Sequence, residues 1–422
     1  MVSKTIDGSS NLSSPAKKTK SLTWFFVFIR KGIRNLCTFA PKIKIKMTAP
    51  ITMVDLQNQY LRIKPEIDAA IQRVLHSTAF IQGKEVANFE ENLAQFTSSK
   101  YVISCGNGTD ALLAALMALG IGSGDEVITV PFTFIATVEA IALIGAKPVF
   151  VDVCEDSFNM NVQQLEKAIT TKTRAILPVH LYGQCADMEP ILKIAKQHDI
   201  RVIEDACQAI GTKYTFSDGT VKQAGTIGDI GCTSFFPSKN LGCYGDGGAI
   251  MTQNSDLADK LRAICRHGSA QKYHHDYIGI NSRLDTLQAA ILDIKLKHLD
   301  EYITNRQNAA EYYYKALSAV KGLALPIRVP YSTHTFHQFT LKVKDSKRDA
   351  LKQYLSEKGI PSMVYYPIPA HLQPAYRHLG HPKGDFPVSE QLCKEVLSLP
   401  MHTELTEDQL QYICETIVNC PL

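Results

Sequence analysis

The chain has 422 residues, 45% hydrophobic and 20% charged, which excludes a disordered or fibrous chain and permits two or three domains with large cores that need no disulfides. Its formal net charge of +4 is concentrated at one end: residues 1–48 carry ten Lys/Arg and one acid, and the remainder carries 35 basic residues against 40 acidic. The body is therefore mildly acidic and gives no basis for a nucleic-acid partner.

The first segment holds the only tryptophan, Trp24, in the apolar run Leu22–Ile29. That run is far shorter than the roughly 20 residues of a membrane span. Basic flanks on both sides and no small-residue cleavage site argue against a signal peptide. Residues 1–48 are expected to lie outside the fold, as a disordered or membrane-surface extension or as a segment preceding a start at Met47 or Met53. Any membrane contact is confined to them. The eleven cysteines are scattered and form no CxxC pair. They read as small apolar residues in a reducing compartment, the cytoplasm, without a metal site.

In chain order, apolar residues at helical spacing (Ile63, Ile67, Ala70, Ile71, Val74) predict a first helix, and 83–98 a second. An alternation follows: strand, turn and helix over 101–120; strand, loop and helix over 125–146; a strand at 147–153; a helix opening at 165–169; a strand at 173–183; a helix at 188–199; a strand at 200–211. Near-continuous β-branched strands alternating with helices predict an α/β domain, residues 49–300, with a mostly parallel sheet covered on both faces. From 301 to 422 the pattern predicts a smaller α+β domain. It opens with one long polar helix over 296–320, and continues through HQFTLKV, KRDALKQYLSEKG, IPSMVYYPIP and TEDQLQYICETIVN.

Ligands of parallel sheets bind beyond the carboxyl ends of the strands, so the motifs there matter most. GNGTDALLAAL (106–116) is a glycine-rich turn between strand and helix. Its free N–H groups and the helix dipole favour a phosphate, with Thr109 able to cap the helix; an ordinary capped helix with Asp110 in its first turn is the alternative. It is not a P-loop, lacking GxxxxGK[ST]. IEDACQAIG (203–211) ends an apolar strand on Asp205. A carboxylate there needs a partner, and the protonated ring nitrogen of a cofactor is one. TSFFPSKNLGCYGDGGAI (233–250) embeds Lys239 among apolar and small residues, with Ser234 and Ser238 beside it. Such a lysine has a lowered pKa and suits a Schiff base with an aldehyde. Phosphate donors, an acid and a lysine, all on loops after strands, are the requirements of pyridoxal 5'-phosphate. In VPFTFIAT (130–137), Phe132 or Phe134 could stack on a flat ring, or belong to the core. GIGSGDE (120–126) precedes a strand, so it is no dinucleotide fingerprint, and the adjacent His274 and His275 lack the spacing of metal ligands.

These residues resemble the DegT/StrS-type pyridoxal-phosphate-dependent nucleotide-sugar aminotransferases, a fold-type I family, from about Val54 to the C-terminus. The likeness is carried by NGTDAL, PFTFIAT, VHLYGQCADM, EDACQAIG, TSFFPSKNLGCYGDGGAI, RHG, NSRLDTLQAAIL and VYYPIPAHLQPAY. It implies that Lys239 binds the cofactor covalently and then moves protons. Asp205 would pair with the ring nitrogen, and Gln208 would lie near the ring hydroxyl. Gly108, Thr109, Asp110 and Ser234 would hold the phosphate, and Phe132 aligns best with the stacking aromatic. Asn281 would reach the phosphate of a neighbouring subunit's cofactor, making the site shared across a homodimer. Arg283, Tyr365, Tyr366 and His371 would sit near the sugar nucleotide. The resemblance is nearest to enzymes that aminate a UDP-linked 3-oxo-N-acetylglucosaminuronate at C3, with glutamate as donor, for bacterial surface polysaccharides. Tyr365 departs from the histidine that relatives often carry there. The alternatives are an aminotransferase for a dTDP- or UDP-linked 3- or 4-keto-6-deoxy sugar, a family dehydratase (which typically replaces the lysine by histidine), and a non-catalytic cofactor-binding regulator.

Overall fold

The structure is a computed structural model that describes residues 50–271 and 273–421; the expectations for the basic segment 1–48 lie outside the described residues. Two helices lead in, α1 (Leu56–Ser77) and α2 (Lys84–Thr97). An alternation follows of β1 (Tyr101–Cys105), α3 (Gly108–Ala118), β2 (Glu126–Thr129), α4 (Ala136–Leu143), β3 (Lys147–Phe150), the single turn α5 (Val162–Leu165), β4 (Thr173–Ile176), α6 (Met188–Gln197) and β5 (Arg201–Asp205). A hairpin of β6 (Lys213–Thr215) and β7 (Val221–Gln223) precedes β8 (Ile230–Ser234), β9 (Gly248–Thr252), α7 (Ser255–Ile264), α8 (Thr286–Lys297) and α9 (Leu299–Leu317). The chain ends with β10 (Leu323–Ala324), β11 (Phe339–Val343), α10 (Arg348–Glu357), α11 (Pro387–Glu395), β12 (Val396–Leu399) and α12 (Glu407–Val418).

Seven strands form the main sheet in the order β1-β9-β8-β5-β4-β2-β3. The run from β8 to β3 is parallel. β9 is antiparallel to both β1 and β8, so those two point the same way as the rest. The period-two alternation of a strand sends neighbours to opposite faces. On β5, Val202 joins one core and Ile203 the other; on β2, Ile128 and Val127 divide in the same way. α3, α4 and α7 cover one face. α6, α2 and α8 cover the other. Burial of each such aliphatic side chain stabilises by about 1.5–3 kcal/mol, and the strands, apolar on both faces, hold that place only inside a two-sided sandwich.

A second, three-stranded antiparallel sheet, β10-β11-β12, is packed by α9, α10 and α12, with Ile51 from the start of the described chain in the same core. The helix expected over 296–320 is instead two helices. His298 ends α8 by donating its N–H to Lys295 and Leu296 carbonyls and, at φ −99° and ψ 0°, starts α9. The break redirects the chain. α8 packs on α1 and α2 through Ile291 and Leu292, and the far half of α9 reaches the second sheet through Ala310 and Tyr313. Among the described residues no helix is long and apolar enough to cross a membrane.

Candidate active site

A cavity of about 620 Å³ opens where β1, β2, β4, β5 and β8 end. Lys239 faces it from the loop between β8 and β9, in a segment closed by hydrogen bonds from Lys239 N–H to the Phe236 carbonyl (2.8 Å) and from Cys243 N–H to the Phe235 carbonyl (2.8 Å). The Lys239 amine makes no hydrogen bond or ion pair with any described residue. Burial lowers its proton affinity, and the nearby Cys207 and Asp205 pull the other way without reversing the shift. A free, partly desolvated amine facing an open volume is the state a nucleophilic lysine needs.

Asp205 closes β5 with its carboxylate in the cavity. Thr137 Oγ1 donates to Oδ2 (2.7 Å), and Cys207 N–H donates to Oδ1 (3.2 Å). The preceding Glu204 points to the other face and is wholly buried. It accepts from Gly225 (2.8 Å), Ile227 (2.6 Å) and Gly228 (2.7 Å) N–H groups, and from His180 Nε2 (2.8 Å). Because His180 Nδ1 accepts from Ala186 N–H (3.1 Å), its proton sits on Nε2 and the bond to the carboxylate is donated by the imidazole. Two consecutive acids thus take opposite faces, and the satisfied one anchors the strand end that carries the other.

The turn after β1 supplies donors. Asn107, not Thr109, caps α3: its side chain accepts from Asp110 N–H (2.9 Å). The Gly108 and Thr109 N–H groups are left without acceptors among the described residues at the helix start, and both residues line the cavity beside Ser234. A side chain on Gly108 would come within 2.7 Å of Ser234 Cβ, and one on Gly248 within 2.5 Å of the Asn107 carbonyl. Both glycines are required by close approach: they let the lysine stretch and the donor turn touch. Asp110 is turned aside by Ser282, whose hydroxyl donates to it (2.7 Å).

Gln208 lines the cavity with its carbonyl accepting from Tyr182 N–H (2.8 Å) and its amide donating to the Tyr366 hydroxyl (3.0 Å). Tyr365 is beside it, its carbonyl bonded by the Tyr182 hydroxyl. Gly108, Thr109, Asp110, Asp205, Gln208, Ser234, Lys239, Tyr365 and Tyr366 therefore line one cavity.

Phe132, His371 and Arg283 do not line it, and Asn281 is expected at a neighbouring subunit's site rather than here. Phe132 is fully buried, with Ile128 and Val130 in the core below the sheet end, and Phe134, half-exposed, lines the cavity with its ring 5.9 Å from that of Tyr366. The signal was present: Ile128, Val130 and Phe132 continue one strand face at period two. His371 is 1% exposed and lies away from the cavity, bonded to Glu390 (3.2 Å) and packed on Phe386. Burial lowers its pKa despite that carboxylate. Arg283 lies in a separate narrow cleft with Arg262 and Arg266, and Asn281 is exposed outside the cavity of its own chain. The structure adds Thr137, His337 and Gln338 to the cavity wall. Nothing in the sequence marks the last two, which arrive from the loop before β11, more than 90 residues after Lys239.

The family model described as DegT/DnrJ/EryC1/StrS aminotransferase family matches residues 61–418. The chain is 47% identical over 369 residues to UDP-2-acetamido-2-deoxy-3-oxo-D-glucuronate aminotransferase of Pseudomonas aeruginosa, a match that covers 87% of this chain and 100% of that one. It is 49% identical over 371 residues to a protein of Geobacillus stearothermophilus named pleiotropic regulatory protein, covering 87% and 98%. A crystal structure of S. venezuelae DesV superposes with a TM-score of 0.84 at 40% identity, covering 88% of this chain and 98% of that one.

Proposed function

The chain belongs to the DegT/DnrJ/EryC1/StrS aminotransferase family, and on that premise we propose that it moves the amino group of glutamate to C3 of a UDP-linked 3-oxo-N-acetylhexosaminuronate. It is a pyridoxal-phosphate-dependent aminotransferase of keto nucleotide sugars. The sugar assignment rests on the 47% identity to the Pseudomonas aeruginosa enzyme over that enzyme's whole length.

The observation that carries the chemistry is the unpartnered Lys239 amine in a cavity that also holds the Asp205 carboxylate and the free N–H groups of the α3 start. That donor set fits the cofactor: N–H groups at a helix start for a phosphate, a held carboxylate for a ring nitrogen, an amine for an aldehyde, and Phe134 for a ring face. When bound, pyridoxal phosphate supplies an aldehyde for amine exchange and a conjugated ring that accepts the electrons of a broken C–H bond. Gly108, Thr109 and Ser234 would hold the phosphate, and Asp205 would keep the ring nitrogen protonated. Nζ of Lys239 would hold the cofactor covalently, then take the substrate's proton and return it, a task suited to an amine whose proton affinity burial has lowered. Tyr365, Tyr366 and Gln208 would border the sugar. Asn281 and Arg283, outside the cavity of their own chain, would act in the site of a second copy, which makes the working unit a homodimer with shared sites. Lys239 is the only lysine or arginine lining the cavity among the described residues. A carboxylate-bearing sugar therefore needs its cation from elsewhere, and Arg283 of a second subunit meets that need. We further propose a cytoplasmic location and a role in surface-polysaccharide assembly.

Mass spectrometry of products from glutamate and a panel of UDP- and dTDP-linked 3- and 4-keto sugars tests the substrate. Amination of the UDP-linked 3-oxo uronate is expected, and a dTDP-only product overturns the assignment. The similarity to a pleiotropic regulatory protein makes a regulatory role the second reading, and no amino transfer to any member of the panel would favour it.

The two phenylalanines separate stacking from core packing. Phe134→Ala should weaken cofactor binding about tenfold, seen by titrating the cofactor's visible absorbance, with little change in melting. Phe132→Ala should cost about 3–5 kcal/mol of stability, seen in denaturant unfolding of the cofactor-free protein.

A further inference from the structure

His337 is a buried residue on the loop before β11, and its ring lines the same cavity as Lys239. Nδ1 is enclosed and has no hydrogen-bond partner among the described residues. Nε2 is not among the enclosed unpartnered atoms and bonds to no described residue, so it opens on the cavity. Burial, then the charge of Lys239, then that of Arg306 hold the imidazole well below its ordinary pKa. It is therefore neutral and carries a single N–H. Buried N–H groups without acceptors are rarer in folded proteins than buried acceptors without donors, which puts the proton on Nε2, facing the cavity.

The loop is held from behind. Arg306 Nη1 donates to the carbonyls of Phe336 (3.1 Å), His337 (3.3 Å) and Met401 (2.9 Å). A Cβ at Gly183 would lie 3.1 Å from His337 N. The ring is thus a preorganised neutral donor beside the reacting amine.

We propose that His337 donates a hydrogen bond from Nε2–H to a substrate oxygen next to the reacting carbon, in both halves of the reaction. The inference rests on the aminotransferase reading above. The two substrates pass through one cavity with different oxygens at that position: an anionic carboxylate in the amino donor, and a neutral hydroxyl or carbonyl in the keto sugar. A cation would favour the first at the expense of the second. A neutral N–H serves both.

The test follows the cofactor's absorbance in the holoenzyme after rapid mixing, first with glutamate alone, then with the keto sugar added to the amino form. His337→Phe should slow both half-reactions roughly 10- to 100-fold. His337→Gln, which keeps a neutral N–H, should recover at least about tenfold of that loss, with the resting spectrum and melting temperature of both variants unchanged. Recovery by glutamine separates a hydrogen bond from a merely structural role. The proposal is overturned if His337→Phe reacts with glutamate within about twofold of wild type, or if His337→Gln is as slow as His337→Phe. Should His337→Phe fail to fold, a His337→Gln enzyme slowed more than about tenfold in either half-reaction overturns it equally. Wild-type enzyme that is idle with glutamate instead overturns the donor assignment on which the proposal stands.

Discussion

Lys239→Ala is expected to reduce turnover with glutamate and the keto sugar by about 10⁴-fold, the upper range for loss of a positioned proton-transfer group. Covalent attachment should vanish from the visible spectrum at the same time, because no other described amine lines the cavity. The stability of the cofactor-free protein should not fall. The lysine makes no hydrogen bond or ion pair with the described residues, and its burial disfavours the charged form, so truncation removes a desolvation cost and no bond. Melting unchanged or slightly higher, with turnover gone, is the expected pair of results. A variant that kept full turnover would remove Lys239 from the chemistry.

Asp205→Asn should cost about 10³-fold in turnover, the scale seen when one preorganised electrostatic partner of a transition state is removed, with covalent attachment to Lys239 retained. Asparagine can still accept from Thr137 or Cys207, but it has no charge to keep a ring nitrogen protonated. With its oxygen toward Cys207 N–H, its NH2 can donate to the Thr137 hydroxyl, so the local hydrogen bonds survive and the loss reports on charge. Thr137→Val provides a graded control: it removes the 2.7 Å bond to Oδ2 and should cost about tenfold, one hydrogen bond's worth. Steady-state rates and the resting spectrum of the three proteins decide the matter. A fully active Asp205→Asn enzyme would show that the ring nitrogen needs no charged partner here.

The residues that form the cavity floor were legible because each sits at the end of a recognisable strand. Apolar runs locate β1, β5 and β8, parallel sheets place their carboxyl ends on one edge, and Gly108, Asp205 and Ser234 follow at those ends. The helix break at His298 was not legible, since His298 and its neighbours have no helix-breaking residue. It appears only when α8 and α9 must pack on different cores. His371 misled for a related reason. Its motif lies next to Tyr366, which faces the cavity, but its own ring turns into the cluster of Phe150 and Phe386, where the apolar surroundings keep the imidazole neutral.

By itself, the sequence determined the alternation of strand and helix, hence a covered, mostly parallel sheet, and the local chemistry at its strand ends: an amine, a carboxylate and a set of free N–H groups. These are properties of short segments, set by spacing, β-branching and glycine. The tertiary structure alone decided which of the two phenylalanines lines the cavity, how Glu204 is satisfied on the face opposite Asp205, and that His337 joins the cavity wall. Those outcomes depend on which faces meet when segments distant in sequence, from 21 residues apart for Glu204 and Gly225 to 98 for Lys239 and His337, pack together, and side-chain burial, unlike strand formation, is a property of that meeting.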